Sequence, residues 1–192
     1  MKKNHGQISG FASPLLESIR IKKITDNVNG GDILDYGCGC GIFCEKLPFK
    51  TYTGVDSDPS VILYAKERYS GVKNITFIST HEFDCTIGRY DHIILSAVVE
   101  HFRDPMPVLK RLKERLRGNG SIIITTPTHF GNSMLRVGSK LGIFSRKAFE
   151  EHNQILSLEE FDRIAQHLGL KIDKYSLFEL GTNQLVVLSI AD

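Results

Sequence analysis

The chain has 192 residues, with 24 lysines and arginines against 22 aspartates and glutamates, for a formal net charge of +2 at pH 7. Hydrophobic residues make up 41% and charged residues 24%, a globular composition that excludes a disordered chain. The even charge balance gives no reason to expect a nucleic-acid partner, and the length suits one domain with a substantial core.

Residues 1 to 12 are polar and glycine-containing and are expected to fray. Ser13-Pro14 reads as an N-cap followed by proline at the first helical position, and the helix should run to about Thr25. "NVNGG" breaks it. "DILDYG" is a short apolar strand, followed by a glycine turn and by "IFCEKL" in helical character. "TYTGVD" is the second strand, and Asp58-Pro59 opens the next helix. "ITFIS" and "DHIILSA" are strands three and four. Asp104-Pro105 starts a helix expected through Arg117, ended by "GNG". "SIIITT" is a fifth strand, β-branched and apolar throughout, as in a strand buried on both faces.

Pro127 stops that strand, and residues 128 to 156 read as an irregular insert. Ser157-Leu-Glu-Glu160 is a capping box whose helix ends at Gly169. "KIDKYSLFEL" and "NQLVVLSI" are the last strands. Only "GTN" joins them, so they should pair antiparallel. Strands alternating with helices predict an α/β fold with a mostly parallel sheet, which binds ligands outside the carboxyl ends of its strands. The opening "MKKNHGQISGF" lacks an apolar signal core, and no window approaches the length of a membrane helix. A cytoplasmic protein without stable membrane insertion is the expectation.

The stretch "DYGCGCGIFC" poses a choice between a thiolate metal site and a glycine turn. Cys38, Cys40 and Cys44 lack the C-x2-C spacing of structural zinc, and no histidine lies near them in sequence, so no metal is expected. Gly37, Gly39 and Gly41 permit a sharp turn and close approach of a ligand. A helix start after them would add free N–H groups, and would make Cys40 an oxidisable thiol. Asp56 ends the second strand, where a carboxylate accepts hydrogen bonds from ribose hydroxyls. The spacing is G-x-G-x-G rather than the dinucleotide G-x-G-x-x-G.

"ILDYGCGCGIF" resembles motif I of class I S-adenosylmethionine-dependent methyltransferases. "YTGVDSD", "YDHIILSAVVEHFRDP", "LKRLKERLRGNGSIIITTPT" and "EHNQILSLEEFDRIAQHLGLKI" resemble further segments of the branch that includes ubiquinone-type O-methyltransferases. The resemblance implies a Rossmann-like seven-stranded sheet, mostly parallel, with an antiparallel C-terminal β-hairpin and helices on both faces. It implies S-adenosyl-L-methionine as cofactor. Gly37, Cys38, Gly39 and Gly41 would form the turn against it. Asp35 would help hold its amino group, Asp56 its ribose, and Ser57 would sit beside its adenine. Ser96 and Ala97 would line the methyl-transfer chamber. Where relatives often place an adenine-binding Asp, this chain has His81-Glu82. Asp84 or a backbone carbonyl is then the alternative.

His101, just after Glu100, is the first candidate for a base that takes a proton from an acceptor hydroxyl, and His152 the second. The plainer reading is that Glu100-His101 shapes a helix start and closes the pocket. Basic residues in "LKRLKERLRG" read as a solvated helix face. The insert mixes basic and apolar residues, which suits either a cover over an amphiphilic or anionic small-molecule acceptor or a packing excursion. The strand-four end "SAVV" lacks the Asn/Asp-Pro-Pro-Tyr motif of amino-group methyltransferases, which favours O-methylation. Two other classes stay open: a nicotinamide-dependent oxidoreductase, and a non-catalytic cofactor- or partner-binding protein on the same fold.

Overall fold

A computed structural model describes residues 13–85, 87–140 and 154–191. The stretch 1–12, much of the expected covering insert, and His152 lie outside the described residues. The elements in chain order are α1 (Ser13–Thr25), β1 (Asp32–Tyr36), β2 (Thr51–Asp56), α2 (Pro59–Arg68), β3 (Ile75–Ser79), α3 (Thr80–Asp84), β4 (Tyr90–Ser96), α4 (Met106–Glu114), β5 (Leu116–Pro127), α5 (His129–Lys140), α6 (Leu158–His167), β6 (Leu170–Phe178) and β7 (Asn183–Ile190). Seven strands form one sheet in the order β3-β2-β1-β4-β5-β7-β6. The β1–β2, β1–β4, β2–β3 and β4–β5 pairs are parallel, and β7 runs antiparallel to both β5 and β6.

Side-chain alternation along the strands builds two cores. Leu34, Ile93, Leu95, Ile122 and Ile124 point to one face and pack with Phe83, Leu109, Leu112, Phe161 and Ala165 from α3, α4 and α6. Ile33, Ile94 and Ile123 point to the other and pack with Ile24 of α1 and with Ile62 and Ala65 of α2. Both faces of the central strands are buried, which is why β4 and β5 read as unbroken apolar runs. Caps set several of the helix starts. The Asp58 side chain accepts from Ser60 N at α2. Ser79–Glu82 and Ser157–Glu160 form reciprocal capping boxes at α3 and α6.

Two expected helices are shorter than the sequence suggests. After the glycine turn only a single 3-10 turn, Ile42–Glu45, forms. Gly41 enters it in the left-handed region and Pro48 follows closely, so no α-helix can propagate in either direction. The helix α4 ends at Glu114 instead of reaching Arg117. Leu116 is drawn into β5 opposite Tyr90. Arg117 reaches Asp32 at 2.6 Å and Asp91 at 2.5 Å, clamping the amino ends of β1 and β4.

Candidate active site

The carboxyl ends of β1, β2, β4 and β5 meet where the glycine turn leaves β1. Gly37, Gly39 and Gly41 all take positive φ, at 82°, 51° and 76°. Their surroundings differ. A Cβ on Gly37 would lie 2.3 Å from Val98 Cγ2, and one on Gly41 would lie 2.6 Å from Phe77 Cζ. A Cβ on Gly39 would meet nothing within 4 Å. Gly37 and Gly41 are therefore required by packing, and Gly39 is where the turn faces open space that a ligand can occupy.

Four backbone N–H groups of this turn are already used. Gly37 N and Cys38 N both donate to Val55 O, at 2.7 and 2.9 Å, and Gly41 N donates to Cys38 O. Gly39 N donates to Asp56 Oδ2 at 2.9 Å. After them the 3-10 turn begins its own bonding at Cys44 N, which donates to Gly41 O at 3.1 Å. None of these four donors is left to hold a pyrophosphate. The turn offers shape and a carboxylate instead.

That carboxylate is Asp56. Its Oδ2 holds Gly39 N and its Oδ1 accepts from Asp58 N at 3.0 Å, so the turn after β1 and the entry to α2 are tied to one side chain. An ionised carboxylate has about four lone-pair sites, so two backbone donors leave capacity for a diol. Ser57 stands exposed beside it.

Asp35 lies below the turn rather than at its surface. It is 1% exposed, and its Oδ2 accepts from Tyr52 Oη at 2.5 Å. Burial pushes its carboxyl up to about 7, against the lowering effect of the Tyr52 hydrogen bond. Cys38 is buried, and its Sγ would lie 2.9 Å from a Cβ on Gly54. Burial raises the Cys38 thiol strongly and the Cys44 thiol to about 12, so neither is an activated thiolate. Tyr69 Oη donates to Gly41 O at 3.0 Å and pins the far side of the turn.

At the end of β4, Ser96 Oγ accepts from Thr125 at 3.5 Å. Ala97 adopts φ 55°, a left-handed conformation uncommon for a residue with a Cβ. Ala97 N donates to Thr125 O at 2.8 Å, and this fixes the kink that drives Val98 onto Gly37. Glu100 follows on a 3-10 turn, 2% exposed, its Oε2 accepting from Thr126 Oγ1 at 2.9 Å. Burial raises the Glu100 carboxyl. His101 ends the turn and is exposed at the rim. Glu100 thus takes the buried, structural position of the pair and His101 the accessible one.

On the side where the adenine is expected, both acids already have partners. Glu82 closes the α3 capping box by accepting from Ser79 N at 2.7 Å, and Asp84 accepts from Arg111 at 2.8 Å. Sequence reading missed Tyr52, Val98, Phe77 and Tyr69. Each is an ordinary apolar or aromatic residue whose role depends on a partner far away in sequence.

Gly37→Ala is expected to cost about 2–3 kcal/mol of stability, from left-handed strain plus overpacking on Val98. Gly37→Ala with Val98→Ala should recover part of it. Urea unfolding of the three variants checks this, and equal stability of wild type and Gly37→Ala would refute the contact.

A protein-family model described as a methyltransferase domain matches residues 11–175. A malonyl-[acyl-carrier protein] O-methyltransferase of Priestia megaterium is 29% identical over 147 residues, 70% of this chain and 52% of that protein. The chain therefore spans about half the length of this relative. A ubiquinone biosynthesis O-methyltransferase of Aeromonas salmonicida is 25% identical over 92% of this chain and 84% of its own. An S-adenosylmethionine-dependent methyltransferase of Clostridium acetobutylicum shares the fold with a TM-score of 0.68, at 14% identity over 92% of this chain and 90% of that one.

Proposed function

The chain belongs to the methyltransferase domain family, and from that premise we propose that it uses S-adenosylmethionine to methylate an oxygen of a small-molecule acceptor. The observation that carries the reading is Asp56: a carboxylate with spare acceptor capacity stands next to the one glycine of the turn that faces open space. A ribose diol fits that pairing, and a pyrophosphate does not.

When bound, the cofactor supplies a methyl group already activated on a sulfonium, so the protein's task is alignment. Asp56 accepts from the ribose hydroxyls and Gly39 lets the sugar approach the backbone. Asp35 supports the turn from beneath, on the side where the cofactor's amino group is expected. Ser57 flanks the adenine, and Ser96 and Ala97 line the chamber where the acceptor oxygen meets the methyl group. Cys38 keeps the turn compact. His101 takes the proton from a hydroxyl acceptor, an effect worth about 10²–10⁴-fold. His152 is the second candidate for that proton. An acceptor that is already ionised, such as a carboxylate, needs neither histidine.

Calorimetric titration with S-adenosylmethionine and S-adenosylhomocysteine, with NADH as control, tests the cofactor. Micromolar binding of the first two alone is expected, followed by methyl transfer to hydroxyl or carboxyl acceptors in a radiolabel assay. Binding of NADH alone would overturn the reading. Cofactor binding without turnover on any acceptor would favour a non-catalytic binding protein.

A further inference from the structure

Two helices on one face of the sheet, α4 and α6, leave a groove between them. The first follows the Val99–His101 turn at the β4 exit. The approach to the second is tied to the same edge by Gln184 Nε2, which donates to Leu156 O at 2.7 Å and to Pro127 O at 3.1 Å. Both helices therefore start at the carboxyl ends of the parallel strands, beside the candidate active site. Along α6, Glu160, Arg163, Ile164 and His167 recur at three- and four-residue spacing and share one side. That side faces Asp104, Pro105 and Met106 at the start of α4 across a groove of about 410 Å³, a size usual for a small-molecule site.

The groove is amphiphilic. Pro105 and Leu156 are buried, and Met106 and Ile164 are partly buried against the core, so its floor is apolar. Its two carboxylates are committed to helix starts. Asp104 Oδ1 accepts from Met106 N at 3.0 Å, and Glu160 Oε2 accepts from Ser157 N at 2.8 Å. Its guanidinium is not committed. Arg163 is exposed and donates through Nε to Glu159 O at 3.4 Å, and its two terminal nitrogens have no hydrogen-bond acceptor among the described residues. Such a fork presents parallel N–H groups, the geometry that receives a carboxylate or a phosphate. His167 is exposed one turn further along the same side. Lys113 of α4 adds an ammonium at that end, its Nζ 3.4 Å from where a Cβ on Gly169 would stand.

The upper end of the groove adjoins the chemistry. Gln154 lines it and donates its backbone N–H to Glu100 O at 3.3 Å, and Glu100 precedes the accessible His101. From Glu160 to His167 the helix advances about 10 Å, so the cationic end lies well below that rim. We propose that the groove holds the body of the methyl acceptor, and that this acceptor is an amphiphilic anion. Its hydroxyl meets His101, its apolar chain or ring lies on Met106 and Ile164, and its far end is a carboxylate or phosphate received by the Arg163 fork and His167. This rests on the methyltransferase reading for calling the ligand an acceptor.

The test uses the full chain with ¹³C-labelled methionine and isoleucine methyl groups. The probes are octanoate, octyl phosphate, acetate and octyltrimethylammonium, all below micelle formation. Octanoate or octyl phosphate should shift the Met106 and Ile164 methyl NMR signals saturably at millimolar concentration, whether or not S-adenosylhomocysteine is present. Whichever of the two binds better identifies the oxyanion as carboxylate or phosphate. Acetate lacks the chain and octyltrimethylammonium reverses the charge, so each should bind about tenfold more weakly or worse. Arg163→Met should weaken the better probe about tenfold and Arg163→Lys by less, with S-adenosylhomocysteine affinity within about threefold in both. The ω-hydroxy derivative of octanoate should in addition shift the His101 ring signals. No methyl shift with either anion at about 20 mM, a level that would reveal a millimolar site, overturns the subsite. Equal binding of the cation, or unchanged affinity in Arg163→Met, does the same. Displacement of the probe by S-adenosylhomocysteine overturns it by assigning the groove to the cofactor. Methyl shifts with no His101 response to the ω-hydroxy probe overturn the acceptor's placement along the groove. Octanoate binding retained in a protein that fails to bind S-adenosylhomocysteine supports the groove and counts against the methyltransferase reading alone.

Discussion

Asp56→Ala is expected to weaken binding of S-adenosylmethionine by about 10²–10⁴-fold. Each hydrogen bond to a charged group is worth about 1.5–3 kcal/mol, and a ribose diol would make two with this carboxylate. The same side chain holds Gly39 N and Asp58 N, so its loss also frees the turn that faces the ligand. The N-cap of α2 is supplied by Asp58 and survives the substitution, which should keep the fold intact. Asp56→Asn keeps one carboxylate-like oxygen and should fall between wild type and alanine. Calorimetry with S-adenosylhomocysteine reads both variants. Affinity of Asp56→Ala within about threefold of wild type would show that the ribose is held elsewhere, because loss of even one such bond exceeds that change.

A pH dependence of stability traceable to Asp35 is the second large effect. Folding raises this carboxyl from 3.8 to about 7, chiefly through burial. The folded chain therefore binds the proton more tightly than the unfolded chain does. The stabilisation is fully present below about pH 4 and is lost as pH rises through about 7. Between pH 5 and 8 the loss amounts to about 2–3 kcal/mol, at about 1.4 kcal/mol per unit. Asp35→Asn cannot ionise, and its amide oxygen can still accept from Tyr52 Oη. The variant should gain on wild type by that amount as pH goes from 5 to 8. Urea unfolding of both proteins at the two pH values isolates the effect, because every other titrating group is common to them. Parallel pH profiles would mean that Asp35 is not the group responsible. Tyr52→Phe should raise the Asp35 carboxyl further, since the Tyr52 hydrogen bond is what opposes burial.

The sheet and the glycine turn were legible in the sequence because local signals specify them. Strand runs, caps such as Ser157–Glu160, and the three-residue join before β7 depend on residues a few positions apart, and each appears where the pattern puts it. Asp56 was legible for the same reason: it closes a strand that follows a glycine turn. The helix after that turn was misread because helical composition in "IFCEKL" is a weak preference, and a left-handed Gly41 with Pro48 beyond it leaves too few residues to pay for nucleation.

What the sequence by itself determined is the family, the strand order's parallel character and the glycine–Asp56 pair. Only the tertiary structure decided which glycine faces open space, since that depends on Val98 lying against Gly37 and Phe77 against Gly41, and on nothing lying against Gly39. It also decided that Asp35 is buried on Tyr52, and that Glu100 is internal while His101 is exposed. The reason is range. Hydrophobic periodicity and capping act over one or two turns of chain, whereas desolvation and unpartnered polar groups arise where strands and helices distant in sequence are packed together.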